Sequence, residues 1–249
     1  MSFATGYILK GSTPINNPVN SIFNRMKKTY YLLFAILALS FSVYSQSKTT
    51  FLPEPGEGFS FNSGLLSVLE APESFESNAR SNSQSFQLMR DNVIGLSHFS
   101  VAYGLGYSAQ FYHGNLRIDV AEDGTQTIVD LTGHDFISNR FATEYVDAVL
   151  ELRYRGKVNR KGRYNRLYIG GCFGYRTDAY SYYKDAVYQV KYYQIAGFNP
   201  IRYGVHVRAG RGPVNAYIYY GLSAIVVDGA MLPEWSEARP LSVGLSVTL

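Results

Sequence analysis

Eight ionisable residues share one parity of three alternating segments: Asp147, Glu151, Arg153 and Arg155 on the first, Arg176 on the second, and Arg202, His206 and Arg208 on the third. Five guanidiniums and an imidazole beside two carboxylates can do two kinds of work in a confined space. They can brace it, because buried charge must be paired and hydrogen-bonded. They can also form an anion-selective constriction, if the space conducts. No metal or cofactor is implied, since four scattered His and the single Cys172 make no ligand spacing.

Other constellations are weaker. Gly104-Leu-Gly106-Tyr-Ser-Ala109 fits GxGxxA, but a dinucleotide site needs those glycines at a strand-to-helix turn, and here strand alternation runs on to Phe111. His113, Asp119, His134, Asp135 and Ser138 lie in or beside one long connection and would have to converge to serve a hydrolase acting on lipid. The basic run Arg153, Arg155, Lys157, Arg160, Lys161, Arg163, Arg166 reads as a turn meeting solvent or anionic headgroups rather than nucleic acid. The stretch 178–199 is rich in Tyr, which suits protein or glycan contacts, or packing of the rings on one another.

The elements that carry these residues read as strands. Leu241, Val243, Leu245, Val247 and Leu249 alternate with Ser242, Gly244, Ser246 and Thr248. Ile201, Tyr203, Val205 and Val207 alternate with Arg202, Gly204, His206 and Arg208. Period-two patterning of this kind predicts half-buried strands. It recurs over 58–69, 82–92, 98–112, 141–155, 165–177, 200–210, 214–227 and 239–249. The connections alternate short (93–97, 156–164, 211–213) and long (70–81, 113–140, 178–199, 228–238). One face of each segment is apolar with aromatic ends; the other is Gly, Ser and Thr with a few Arg. A soluble sandwich would place Lys and Glu on its outer face instead. Phe99 to Phe111, tilted near 45°, spans roughly 28 Å, close to a bilayer's hydrocarbon thickness. The expectation is therefore an all-β, transmembrane, antiparallel up-and-down β-barrel of about eight strands over residues 58–249.

Export is expected too. Met26-Lys27-Lys28, the apolar run from Tyr30 to Val43, and Val43-Tyr44-Ser45 before Gln46 make the three regions of a cleaved signal peptide over 26–45. Residues 1–25 read as a leader upstream of the true start, and 46–57 as a periplasmic segment. Four of the 23 basic residues and no acid fall in 1–45, leaving 19 of each sign. That balance gives no argument for nucleic acid. Charged residues are 17% of the chain, below the roughly 25% of ordinary soluble domains.

Five stretches resemble the PorT-like family of small outer-membrane β-barrel proteins: Phe99–Ser108, Tyr145–Tyr154, Leu167–Tyr175, Arg202–Gly210 and Pro240–Leu249. The resemblance implies fold and location, carries no active site, and through its namesake branch implies a tie to a protein-secretion apparatus. The functional expectation is a non-enzymatic outer-membrane protein of a Gram-negative bacterium. Its strands would anchor it in lipid and lipopolysaccharide, and its surface loops would contact envelope or secretion-machinery partners. A small anion-preferring channel and a lipid-modifying enzyme are the alternatives.

Overall fold

The computed structural model describes residues 57–121, 125–160, 162–227 and 235–249. The expected leader and signal peptide, and most of the 46–57 segment, lie outside the described residues.

Eleven strands form: β1 (Phe59–Leu69), β2 (Asn82–Val93), β3 (Phe99–His113), β4 (Leu116–Val120), β5 (Gln126–Asp130), β6 (Ser138–Arg155), β7 (Asn165–Lys184), β8 (Gln189–Tyr193), β9 (Ile201–Arg211), β10 (Val214–Gly221) and β11 (Arg239–Thr248). The main sheet has nine strands in the order β6-β3-β2-β1-β11-β10-β9-β7-β8, with a further β6–β7 pairing, and every ladder is antiparallel. A separate two-stranded sheet joins β4 and β5.

The register shows how the strands sit. Stepping across partners from Ala109 leads through Gln84, Ser63, Leu245, Ala216, Ala209, Leu167 and Tyr154 to Phe99, back on β3 and ten residues from the start. Eight strands thus pair in a ring whose stagger tilts them roughly 40° to its axis. Each of the eight has two hydrogen-bonded neighbours.

The plain eight-stranded up-and-down barrel expected from the sequence nevertheless needs correction. β7 runs on to Lys184; its first half pairs with β9, and Tyr180–Lys184 pair with β8. Among the described strands β8 pairs with β7 alone, so the nine-stranded sheet as a whole is not closed. The long connection 113–140 folds into the β4–β5 hairpin. The strand expected over 214–227 stops at Gly221, because the amides of Leu222 and Ser223 both turn back to the Tyr203 carbonyl. Past that point the neighbours Ile225 and Val226 are both buried, in the apolar core at the long-loop end.

The expectation of transmembrane strands is replaced by what the structure holds: strands with one exposed apolar face and one buried polar face. Strand β9 alternates exposed and buried from Ile201 to Ala209. Outside, Leu65 is 67% exposed, and Leu105 and Leu245 60% each; inside, Arg153 and Arg208 are 0% exposed and Glu151 1%. Among the described residues no helix is long and apolar enough to cross a membrane, a statement about helices alone.

Candidate functional site: an ion-paired bore beneath an aromatic plug

Strands β6, β7 and β9 bring the expected cluster into the ring's interior, where the charges stack in three tiers. At the end bearing the short turns, Glu57 is buried just before β1. Its carboxylate meets Arg166 at 2.6 Å and Arg155 at 3.3 Å, and accepts hydrogen bonds from the Tyr164 and Tyr168 hydroxyls. The Glu57 carbonyl accepts from Arg153 at 3.1 Å. Asp91 of β2 completes this tier, paired with Arg155 and 3.6 Å from Arg153. Burial alone would push the Glu57 carboxyl up, but Arg155, Tyr164, Tyr168 and Arg166 outweigh it and hold the group below the usual carboxylate range.

The middle tier centres on Glu151. It takes Arg153 at 2.8 Å, His206 at 2.7 Å, and Arg208. Above it, Asp147 receives Arg202 through two nitrogens, with contacts at 2.8, 2.9 and 3.2 Å, and the Ser108 hydroxyl at 2.6 Å. The Arg202 guanidinium lies over the Tyr145 ring at 4.3 Å. Two glycines of β7 keep the room for these pairs. A Cβ on Gly170 would stand 2.6 Å from Glu151 Cγ and 2.8 Å from His206 Cε1; one on Gly174 would strike the Asp147 carboxylate. A cavity of about 20 Å³ beside Asp147, Cys172, Arg202 and Tyr219 has the space of roughly one water.

At the long-loop end the interior changes character. Tyr112 stacks on Phe141 at 4.8 Å, Phe141 on Phe198 at 5.5 Å, and Trp235 meets Phe141 and Phe75 edge-on at 5.6 and 4.7 Å. Ile118, Ile195, Ile225 and Val226 fill the gaps. Loop residues Phe75, Ile195, Phe198, Ile225, Val226 and Trp235 thus fold onto the strand residues Tyr112 and Phe141 and cap the ring with an apolar plug.

Seven of the eight expected residues meet in this bore: Asp147, Glu151, Arg153, Arg155, Arg202, His206 and Arg208. Arg176 stands apart, donating to the Phe198 carbonyl at 2.6 Å. It keeps the register of the tiers, pairing with Tyr145 two positions beyond Asp147, and so stands at the end of the bore nearer the plug. Sequence reasoning missed Glu57 and Asp91 and placed Arg166 in a basic run of turn and strand ends facing solvent or headgroups, whereas it pairs with Glu57. The available clue was stoichiometric: five arginines pointing inward demanded more than two carboxylates.

The channel alternative is corrected by the same geometry. The guanidiniums that would select anions are spent on carboxylates, and the plug stands over them. Tyrosines of 178–199 engage side chains of the chain itself. Lys191 lies 3.8 Å over Tyr180 and 4.4 Å over Tyr193, Arg117 4.2 Å over Tyr183, and Arg140 5.2 Å over Tyr182. The residues of the lipid-modifying alternative do not converge. Asp119 pairs with Arg117 at 2.5 Å, Ser138 opens β6, and the His113 amide donates to the Ser81 hydroxyl. Among the described residues no three His, Cys, Asp or Glu are grouped to hold a metal.

No family model matches the sequence, and neither a curated protein nor a solved structure matches it. The resemblance to PorT-like proteins is therefore withdrawn as a family assignment: it rested on strand alternation, which any sheet with one polar and one apolar face produces.

Proposed function

We propose that this is a non-catalytic protein of the Gram-negative outer membrane whose exposed apolar faces meet the acyl chains of lipid and lipopolysaccharide, and whose bore is a brace and not a passage. The observation that supports this most directly is the inversion of burial, with leucines outside and ion pairs inside. The exposed apolar residues belong to seven of the eight ring strands, among them Leu65, Leu105, Leu150, Ile169, Val205 and Val243. A protein partner would cover one side; lipid covers every side. Apolar surface of this extent on a water-soluble monomer would be a liability. The ring of pairings leaves its strands without a bare hydrogen-bonding edge, as contact with lipid requires.

The test is insertion. The chain should leave cell envelopes only with detergent and refold into vesicles. Leu105→Arg or Leu150→Arg, at mid-height of the apolar band, should each cost about 2–4 kcal/mol of folding free energy in vesicles. Recovery of a monodisperse folded protein from the periplasm without detergent would refute the proposal.

A further inference from the structure

The two ends of the ring differ in outward charge. At the short-turn end the turn 94–98, the described residues 156–160 and 162–164, and the turn 212–213 lie side by side. The Arg155 amide donates to the His98 carbonyl, the Gly212 amide to the Tyr164 carbonyl, and the Arg163 side chain lies beside Gly212. Arg90, Lys157, Arg160, Arg163 and Arg211 are all exposed there. The carboxylates of this end, Glu57 and Asp91, turn inward and are taken up by Arg153, Arg155 and Arg166. Among the described residues Arg90, Lys157, Arg160, Arg163 and Arg211 are left as outward cations at this end. At the long-loop end, by contrast, exposed acids such as Glu70, Glu73 and Glu76 are frequent.

The same turns hold apolar tips in the open. Leu96 is 90% exposed, Ile94 51% and Val158 39%. Leu96 is not there through slackness. Gly95, at φ +59°, and two backbone hydrogen bonds, Ile94 to Phe99 and Ser97 to Ile94, fix its turn. Behind it Phe99 and Tyr154 pack at 5.2 Å on the outer face. Exposed cations and bare aliphatic tips on neighbouring turns, with a ring pair on the outer face behind Leu96, match the boundary between an anionic layer and hydrocarbon.

We propose that the short-turn end docks on anionic phospholipid headgroups, with Arg160, Arg163 and Arg211 meeting the phosphates and Leu96 and Ile94 seated among the upper acyl carbons. This rests on the reading that the outer faces contact lipid, and it adds which lipid one end selects.

The experiment separates the two claims. The full chain is refolded into phosphatidylcholine vesicles with and without phosphatidylglycerol, and the lipid retained on the protein after mild detergent extraction is measured. Phosphatidylglycerol should be enriched over its bulk share. The enrichment should fall by about fivefold in the Arg160→Gln/Arg163→Gln/Arg211→Gln variant, and high salt should weaken it. A Glu73→Gln/Glu76→Gln variant at the other end should retain it, and fluorescence of buried Trp235 should report the same fold in all three proteins. Equal retention of both lipids by the native chain, or equal enrichment in the triple-arginine variant, overturns the proposal while leaving the lipid-contact reading intact. Failure to insert even into phosphatidylcholine overturns that reading.

Discussion

Glu151 and Phe141 stand ten residues apart on β6, both nearly inaccessible to solvent, and opposite physics holds them in place. Around Glu151 the strands enclose charge, and each group is fixed by the direction of its hydrogen bonds. Around Phe141 they enclose rings, which gain from burial and contact whatever their precise angle. An interior bounded by paired backbone can thus be filled in two ways. The charged half tolerates no missing partner, because what remains is a bare buried ion. The aromatic half loses only contact and gains a cavity. The loops supply the second kind because irregular chain from several connections meets there, and apolar packing makes fewer demands on alignment than ion pairing does.

The largest effect should come from breaking the charged half at its centre. Glu151→Ala would leave Arg208, Arg153 and His206 without their shared carboxylate, at a cost of about 3–5 kcal/mol. Denaturant unfolding in vesicles measures it; a loss under about 1 kcal/mol would mean that the tier is solvated and does not brace. Phe141→Ala should cost about 3–4 kcal/mol by the same measurement, with one qualitative difference. The Glu151 variant should regain stability when its cations are also replaced, as in Glu151→Leu/Arg208→Leu, whereas no second substitution of a plug ring should rescue Phe141→Ala. Equal rescue in both regions would erase the distinction drawn between them.

Gly170→Ala sharpens the comparison at smaller scale. Its Cβ would press on Glu151 and His206, at about 1–3 kcal/mol. Gly133→Ala, in a loop with open space around it, changes no packing and probes backbone strain alone at φ +78°. The smallest effect concerns pH. Folding lowers the Glu57 pKa from its usual 4.5, so its contribution is complete above about pH 4.5 and is lost as pH falls through the depressed folded value. Glu57→Gln should flatten that acid limb of the stability profile. An unchanged limb would show that the carboxylate is already solvated in the folded protein. The aromatic half, by comparison, should be indifferent to acid.

Much of the fold was legible in the sequence, because the alternation of Leu245 with Ser246, or Val207 with Arg208, is local and has the period of a strand. It marked where the eight ring strands lie and which parity faces inward, but not that β10 stops at Gly221, that β7 runs on to Lys184, or that the sheet as a whole stays open. Seven of the eight expected interior residues followed from parity alone. Glu57 did not, because it precedes the first strand and has no periodic neighbour to mark it. β8 and the β4–β5 hairpin were hidden inside connections too short in pattern to separate from loop. Arg176 shares the parity of Gly170 and Gly174, but parity says nothing of height along the bore, and at its height the partner is the Phe198 carbonyl. The sequence alone therefore determined which side chains share a face, since that depends only on spacing along one chain. Only the tertiary structure decided which carboxylate meets which guanidinium, and that the loops turn inward as a plug, because those depend on stagger between strands far apart in sequence.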